Sequence, residues 1–134
     1  MAGRQQHIEN PFFSSIERLI GAANTNDTFV LGSFGSVSGI LDGGAGGFDS
    51  LEIAGGDGAA VLFTATGPHS GSVRIDGSVL QYDGLEPITL AGAPTDVIVD
   101  ASAGDDLIVV EDMGGGTIRV RSDSLIPTFE SVAF

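Results

Sequence analysis

Six aspartates stand inside or beside glycine-rich corners of this chain: Asp27, Asp42, Asp49, Asp57, Asp105 and Asp106. The densest corner is DGGAGGFDSLEI, Asp42 to Ile53, where four glycines lie between two aspartates ahead of an alternating apolar segment. Glycine reaches positive φ without steric cost, so such a corner curls carbonyl oxygens inward, and the aspartate sets a charged oxygen beside them. A concave array of hard oxygens suits a calcium ion, whose ligands are carboxylates and carbonyls. The six aspartates are therefore the candidate metal ligands and calcium the candidate cofactor. The competing meaning is structural: in ordinary turns Asp bonds its own backbone and Gly supplies the φ angle.

The corners separate strand-like runs. From Thr28 onward TFVL, SVSGIL, SLEI, AAVLF, SVRI, SVLQY, PITL, DVIV, DLIVV, TIRVR and ESVAF follow one another with Gly, Asp, Asn or Pro between them. Short β-branched and apolar runs at such spacing predict an all-β domain. Upstream, SSIERLIGAA supports either a helix, since Ser14 stands three residues before Glu17 as in a capping box, or a strand. Leu19 to Leu31 (LIGAANTNDTFVL) aligns without a gap on Ile98 to Val110 (IVDASAGDDLIVV). Ile40 to Ile53 repeats the idea with one extra residue, and Ile53 to Phe63 repeats it with Ala60 in place of Asp. Glu17, Glu86 and Glu130 recur in apolar-Glu-x-apolar contexts.

Degenerate repetition of this kind is what stacked coils produce, because one coil cannot bury its inner face until a neighbour covers it. The expected architecture is a parallel β-solenoid with a hairpin excursion at Asp76-Gly77, the two-residue turn in SVRIDGSVLQY. An antiparallel β-sandwich is the alternative. Residues 1–15 are expected to form a flexible or capping segment, and residues 16–134 a single repeat domain.

Composition narrows the function classes. At 134 residues the chain suits one domain. Its 18 acids oppose 5 arginines, with no lysine, for a net charge of −13. That field repels phosphate backbones and anionic membranes, so neither nucleic acid nor membrane insertion is expected. No cysteine is present for disulfides or thiolate metal sites. His7 and His69 have no metal-ligand spacing, no G-x-S-x-G elbow accompanies them, and the GGAGG corner lacks the lysine of a phosphate loop. Asp100, Asp105, Asp106, Glu111 and Asp112 are the acids a glycan-cleaving groove would recruit, but corner acids of a repeat more often form a solvated edge, and no enzyme is expected.

Against the calcium-binding nonapeptide G-G-x-G-x-D-x-U-x, Gly44 to Glu52 (GAGGFDSLE) departs only at Ala45. Ala101 to Val109 keeps Gly104, Asp106 and Ile108. Ala22 to Val30 keeps Asp27 and Phe29, and Gly55 to Phe63 keeps its glycines with Asp57 inside the turn. On these segments the chain resembles the hemolysin-type (RTX-like) calcium-binding repeats, and in particular the degenerate modules of giant bacterial surface and adhesin-like proteins. The resemblance implies an exported, extracellular or cell-surface β-solenoid within a longer parent. Its expected partners are neighbouring repeats or further copies of itself, with cell-surface glycan or protein beyond them. The matching aspartates Asp27, Asp49 and Asp106 are unequally spaced, so isolated calcium sites rather than a continuous ladder are expected. A calcium-responsive module that folds on export is the second reading. Phe12, Phe13 and Phe48, in polar or glycine-rich surroundings, are candidates for capping or contact, and FESVAF is expected to leave an unpaired edge strand.

Overall fold

The computed structural model describes residues 16–32 and 37–134. The 1–15 segment, with His7, Phe12, Phe13 and Ser14, lies outside the described residues. Half of the described residues are in strands and none is in a helix, so the all-β expectation holds. The strands are β1 (Arg18–Ile20), β2 (Thr28–Leu31), β3 (Ile40–Asp42), β4 (Ser50–Ile53), β5 (Ala60–Gly67) and β6 (Ser70–Ile75), then β7 (Ser78–Asp83), β8 (Ile88–Leu90), β9 (Asp96–Asp100), β10 (Ile108–Gly114), β11 (Thr117–Ser122) and β12 (Val132–Ala133). The ambiguous IERLI run is thus a strand.

Two six-stranded sheets form, in the orders β1-β3-β7-β6-β5-β9 and β2-β4-β8-β12-β11-β10. Both are mixed and open. Six of the ten pairings among the described residues are parallel, and the four antiparallel ones belong to two meanders, β5-β6-β7 and β10-β11-β12. The architecture is neither wholly parallel nor a wholly antiparallel sandwich. Place by place, the two orders set β1 with β2, β3 with β4, β7 with β8, β6 with β12, β5 with β11, and β9 with β10, six two-strand layers.

The first two layers repeat residue for residue. Arg18 pairs with Ile40 and Thr28 with Ser50, and the corner between follows the same register: Gly21 N–H donates to Asp42 O, Asn24 N–H to Ala45 O, and Ser50 N–H to Asp27 O. Leu19–Leu31 therefore lies on Leu41–Ile53 with no insertion, and the extra residue read from the sequence is only a difference in where the match begins. The Ile53–Phe63 copy turns out to be a corner on the opposite side of the stack, joining β4 to β5. There Gly58 N–H donates to Ala93 O and Thr95 N–H to Ala59 O.

The match of Leu19–Leu31 with Ile98–Val110 needs a correction. Leu19 pairs with the buried Leu41, so it faces inward, whereas Ile98 pairs with Leu62 on the outer face and is 57% exposed. Parallel partners share a face and successive residues alternate. The equivalent of Leu19 is thus Val99, opposite the buried Phe63, and the last corner is one residue shorter than the first.

The core lies between the sheets. Leu41, Val61, Phe63, Val73, Leu80 and Tyr82 come from one, and Leu51, Ile53, Ile88, Leu90 and Val132 from the other. The Asp76-Gly77 hairpin forms as expected, with Ile75 opposite Ser78 and Asp76 at φ 51, a region that short polar side chains tolerate. β12, expected as a free edge, is instead flanked by β8 and β11, because Val132 pairs with both Ile88 and Val120. Among the described residues the edges are β1 and β2 at one end and β9 and β10 at the other.

Glycine is required where one corner meets the next. Gly47 has φ +91, and a Cβ there would lie 1.7 Å from Thr25 O. Gly58 also has positive φ (+70) but faces open space. Urea denaturation is therefore expected to show Gly47→Ala costing about 2–4 kcal/mol, backbone strain plus overlap, against about 1 kcal/mol for Gly58→Ala. Equal losses would mean that the corners do not touch as described.

Candidate functional site

One side of the stack gathers most of the candidate acids. The inward residues Phe29, Leu51, Ile88 and Val132 are in register through β2, β4, β8 and β12. Two positions before each stands an acid: Asp27, Asp49, Glu86 and Glu130. Backbone bonds carry the alignment through the corners, with Glu86 N–H donating to Asp49 O and Ile88 N–H to Ser131 O. Sequence reading picked Asp27 and Asp49 from glycine motifs and Glu86 and Glu130 from a separate recurrence. The signal common to all four is acid-x-apolar at a strand entrance (DTF, DSL, EPI, ESV), which was available in the sequence.

The carboxylates are used within the corners. Asp27 Oδ2 accepts from Ala22 N–H at 2.8 Å and from the Thr25 hydroxyl at 2.9 Å, closing its own turn. Asp49, only 5% exposed, accepts the Asp27 N–H at 2.8 Å through Oδ1, so it fastens one layer to the next. Asp42 Oδ1 accepts from Gly44 N–H and its Oδ2 from Arg18 at 2.7 Å. The Arg18 guanidinium and that amide hold Asp42 below the usual carboxylate range. Asp57, on the opposite side of the stack, accepts from Ala93 N–H at 2.6 Å. Asp106, in the last corner, accepts from the hydroxyls of Ser102 and Thr128. Asp105 is its exposed neighbour.

The six expected metal ligands are thus distributed over three places rather than brought together. Among the described residues no three His, Asp or Glu side chains converge as metal ligands. Five of the six carboxylates accept N–H or O–H hydrogen bonds, most through one oxygen, which leaves further lone pairs on each.

The corners differ in length, and a notch results. The passage from Asp42 to Leu51 stacks on that from Asp83 to Ile88, which is four residues shorter. The excess of the longer corner overhangs a cavity of about 310 Å³, lined by its glycines together with Phe48, Asp49, His69 and Glu86. His69 Nδ1 lies 2.9 Å from Glu86 Oε2. Phe48 is 74% exposed, and its N–H donates to Asn26 Oδ1 at 2.8 Å, so the layer above fixes its backbone. A second hollow of about 480 Å³ shares Phe48 and Glu86 and extends to Met113 and Arg119. Chemically the notch offers carboxylate acceptors and an aromatic lip. Of the acids assigned to a cleaving groove, Glu111 is clamped by Arg119 and Arg121, which hold its carboxyl below the usual range, and Asp112 caps Gly114 N–H.

Glu130 ends the column and is 1% exposed, with Oε2 lacking a hydrogen-bond partner. Burial pushes its carboxyl up to about 7. The folded chain therefore favours the protonated form, and stability from this group is fully present below pH about 4.5 and is lost as pH rises through 7. The loss amounts to about 3 kcal/mol. Glu130→Gln is expected to gain about that much relative to the parent chain between pH 4.5 and pH 8, measured by urea denaturation. A difference independent of pH would refute the assignment. Compared with known proteins, the chain matches no family model, no curated protein and no solved structure.

Proposed function

We propose that this chain is a structural and interaction module, a β-solenoid segment that serves as stalk, matrix or adhesin scaffold in a large exported bacterial surface protein. The observation that carries the reading is the residue-for-residue stacking of Leu19–Leu31 on Leu41–Ile53, corner included. A unit that repeats its backbone bonds from layer to layer is extended by adding layers, which is how repeat scaffolds gain length and stability. The two meanders are then excursions that fill the fourth and fifth layers without changing the direction of the winding. A net charge of −13 supports a solvated, surface-exposed life. The RTX-like segments support the same setting.

A calcium-responsive form of the module draws its support from the Gly44–Glu52 segment, which departs from the calcium nonapeptide at one position. Corner carboxylates engaged with backbone amides weigh toward a stack that stands without the ion. Glycan or protein at the corner notch is the contact such a scaffold would present, with Phe48 and Glu86 at its lip.

Two copies joined in one chain are expected to melt at a higher temperature than the single chain in buffer with chelator, because a scaffold gains an interface with every unit added. An unchanged melting temperature would sink the scaffold reading. Calcium added to the single chain separates the two forms: a rise in melting temperature with ion concentration marks the calcium-responsive one.

A further inference from the structure

The geometry points to head-to-tail docking of a second copy of this chain, the β9–β10 layer of one copy lying in parallel register on the β1–β2 layer of the next. The inference rests on the scaffold reading and names the partner and the register.

The first argument is direction. Through parallel β1-β3-β7, two antiparallel steps and parallel β5-β9, the edge strands β1 and β9 run the same way. The same count through β2-β4-β8-β12 and the two steps to β10 makes β2 and β10 codirectional. A copy translated along the stack therefore meets both edges in parallel at once. Like edges placed face to face would meet antiparallel.

The second argument is the open core. In the first layer Leu19 is 42% exposed although its partner Leu41 is 3% exposed. In the last layer Ile108 and Val110 oppose the buried Ser122 and Val120, which puts them on the inner face, yet they are 49% and 65% exposed. Inward-facing apolar residues thus emerge at both ends. Stacking Val99 over Leu19, Ile108 over Phe29 and Val110 over Leu31 covers them. The one-residue difference between the corners is smaller than the four residues absorbed at the notch.

Charge selects head-to-tail pairing. In this register Arg18 sits against Ile98, flanked on the same face by Asp96 and Asp100. Arg18 already reaches Asp42, two residues along from its own pairing partner Ile40, and Asp100 stands in the same relation to Ile98. The β9–β10 layer carries acids and no basic residue, so two such layers repel each other. A translational contact of this kind does not close on itself and builds a filament.

The chain has no cysteine, which makes cross-linking free of background. Val30 and Val109 are opposed on the outer face in the proposed register and carry none of the charges that select it, so Val30→Cys with Val109→Cys leaves the core and those charges intact. Under mild oxidation the double variant is expected to give a ladder of dimers, trimers and longer species on a non-reducing gel, lost when Val110→Lys is added. Sedimentation velocity of the unmodified chain is expected to show mass rising with concentration, and the Val110→Lys chain alone is expected to stay monomeric with an unchanged circular dichroism spectrum. A unit-mass unmodified chain at every concentration overturns the proposal, as does dimerisation of Val30→Cys alone. If two copies joined in one chain melt higher while separate chains stay apart, the scaffold survives, docking of free copies falls, and the occupant of the end is a neighbouring module of the same polypeptide.

Discussion

The parallel ladder between successive strand–corner–strand units is the interaction on which the rest of this molecule depends. A corner exposes amides that no strand partner satisfies, and a buried unpaired amide is costly. Here the next layer answers them: Gly21 and Asn24 donate to Asp42 and Ala45, and the Asp27 amide donates to the Asp49 carboxylate. Satisfying the corner amides in this way is what allows glycine-rich turns to stack closely, and the close contact in turn fixes where glycine must stand, as at Gly47 under Thr25.

From that constraint the acid column follows. An acid two residues before each inward apolar residue is brought above its counterpart in the next layer, whatever its role in its own turn. Asp27 closes a turn, Asp49 binds the neighbouring amide, Glu86 meets His69, and Glu130 is enclosed with one carboxyl oxygen unpaired. The deepest of the four, Glu130, has its charged form disfavoured by burial, which makes this side of the stack sensitive to pH. The Arg121–Glu111–Arg119 cluster on the outer face works in the opposite sense, stabilising at neutral pH and weakening as acid protonates Glu111.

Each sheet contains one meander, at the third to fifth places of one order and the fourth to sixth places of the other. Gly71 shows how the excursion is fitted to the core: it pairs with Tyr82, and its missing side chain leaves room for the tyrosine ring, whose hydroxyl a Cβ would approach to 2.6 Å. At the two ends of the described residues the inward-facing Leu19, Ile108 and Val110 are exposed.

The β class, the strand positions and the Asp76-Gly77 hairpin were legible in the sequence, because period-two alternation and turn chemistry are local properties. The stacking of Leu19–Leu31 on Leu41–Ile53 was legible as repetition. What the sequence left open was which repeats share a side of the stack and in what register: the Ile53–Phe63 copy belongs to the opposite corner, and a one-residue slip turns Ile98 outward where Leu19 faces in. Side-chain facing alternates at every residue, so apolar identity cannot reveal an odd shift, and only pairing with a buried neighbour decides it. The aspartates read as a ligand set from their glycine-rich corners; tertiary structure adds that five of the six accept N–H or O–H hydrogen bonds within and between corners.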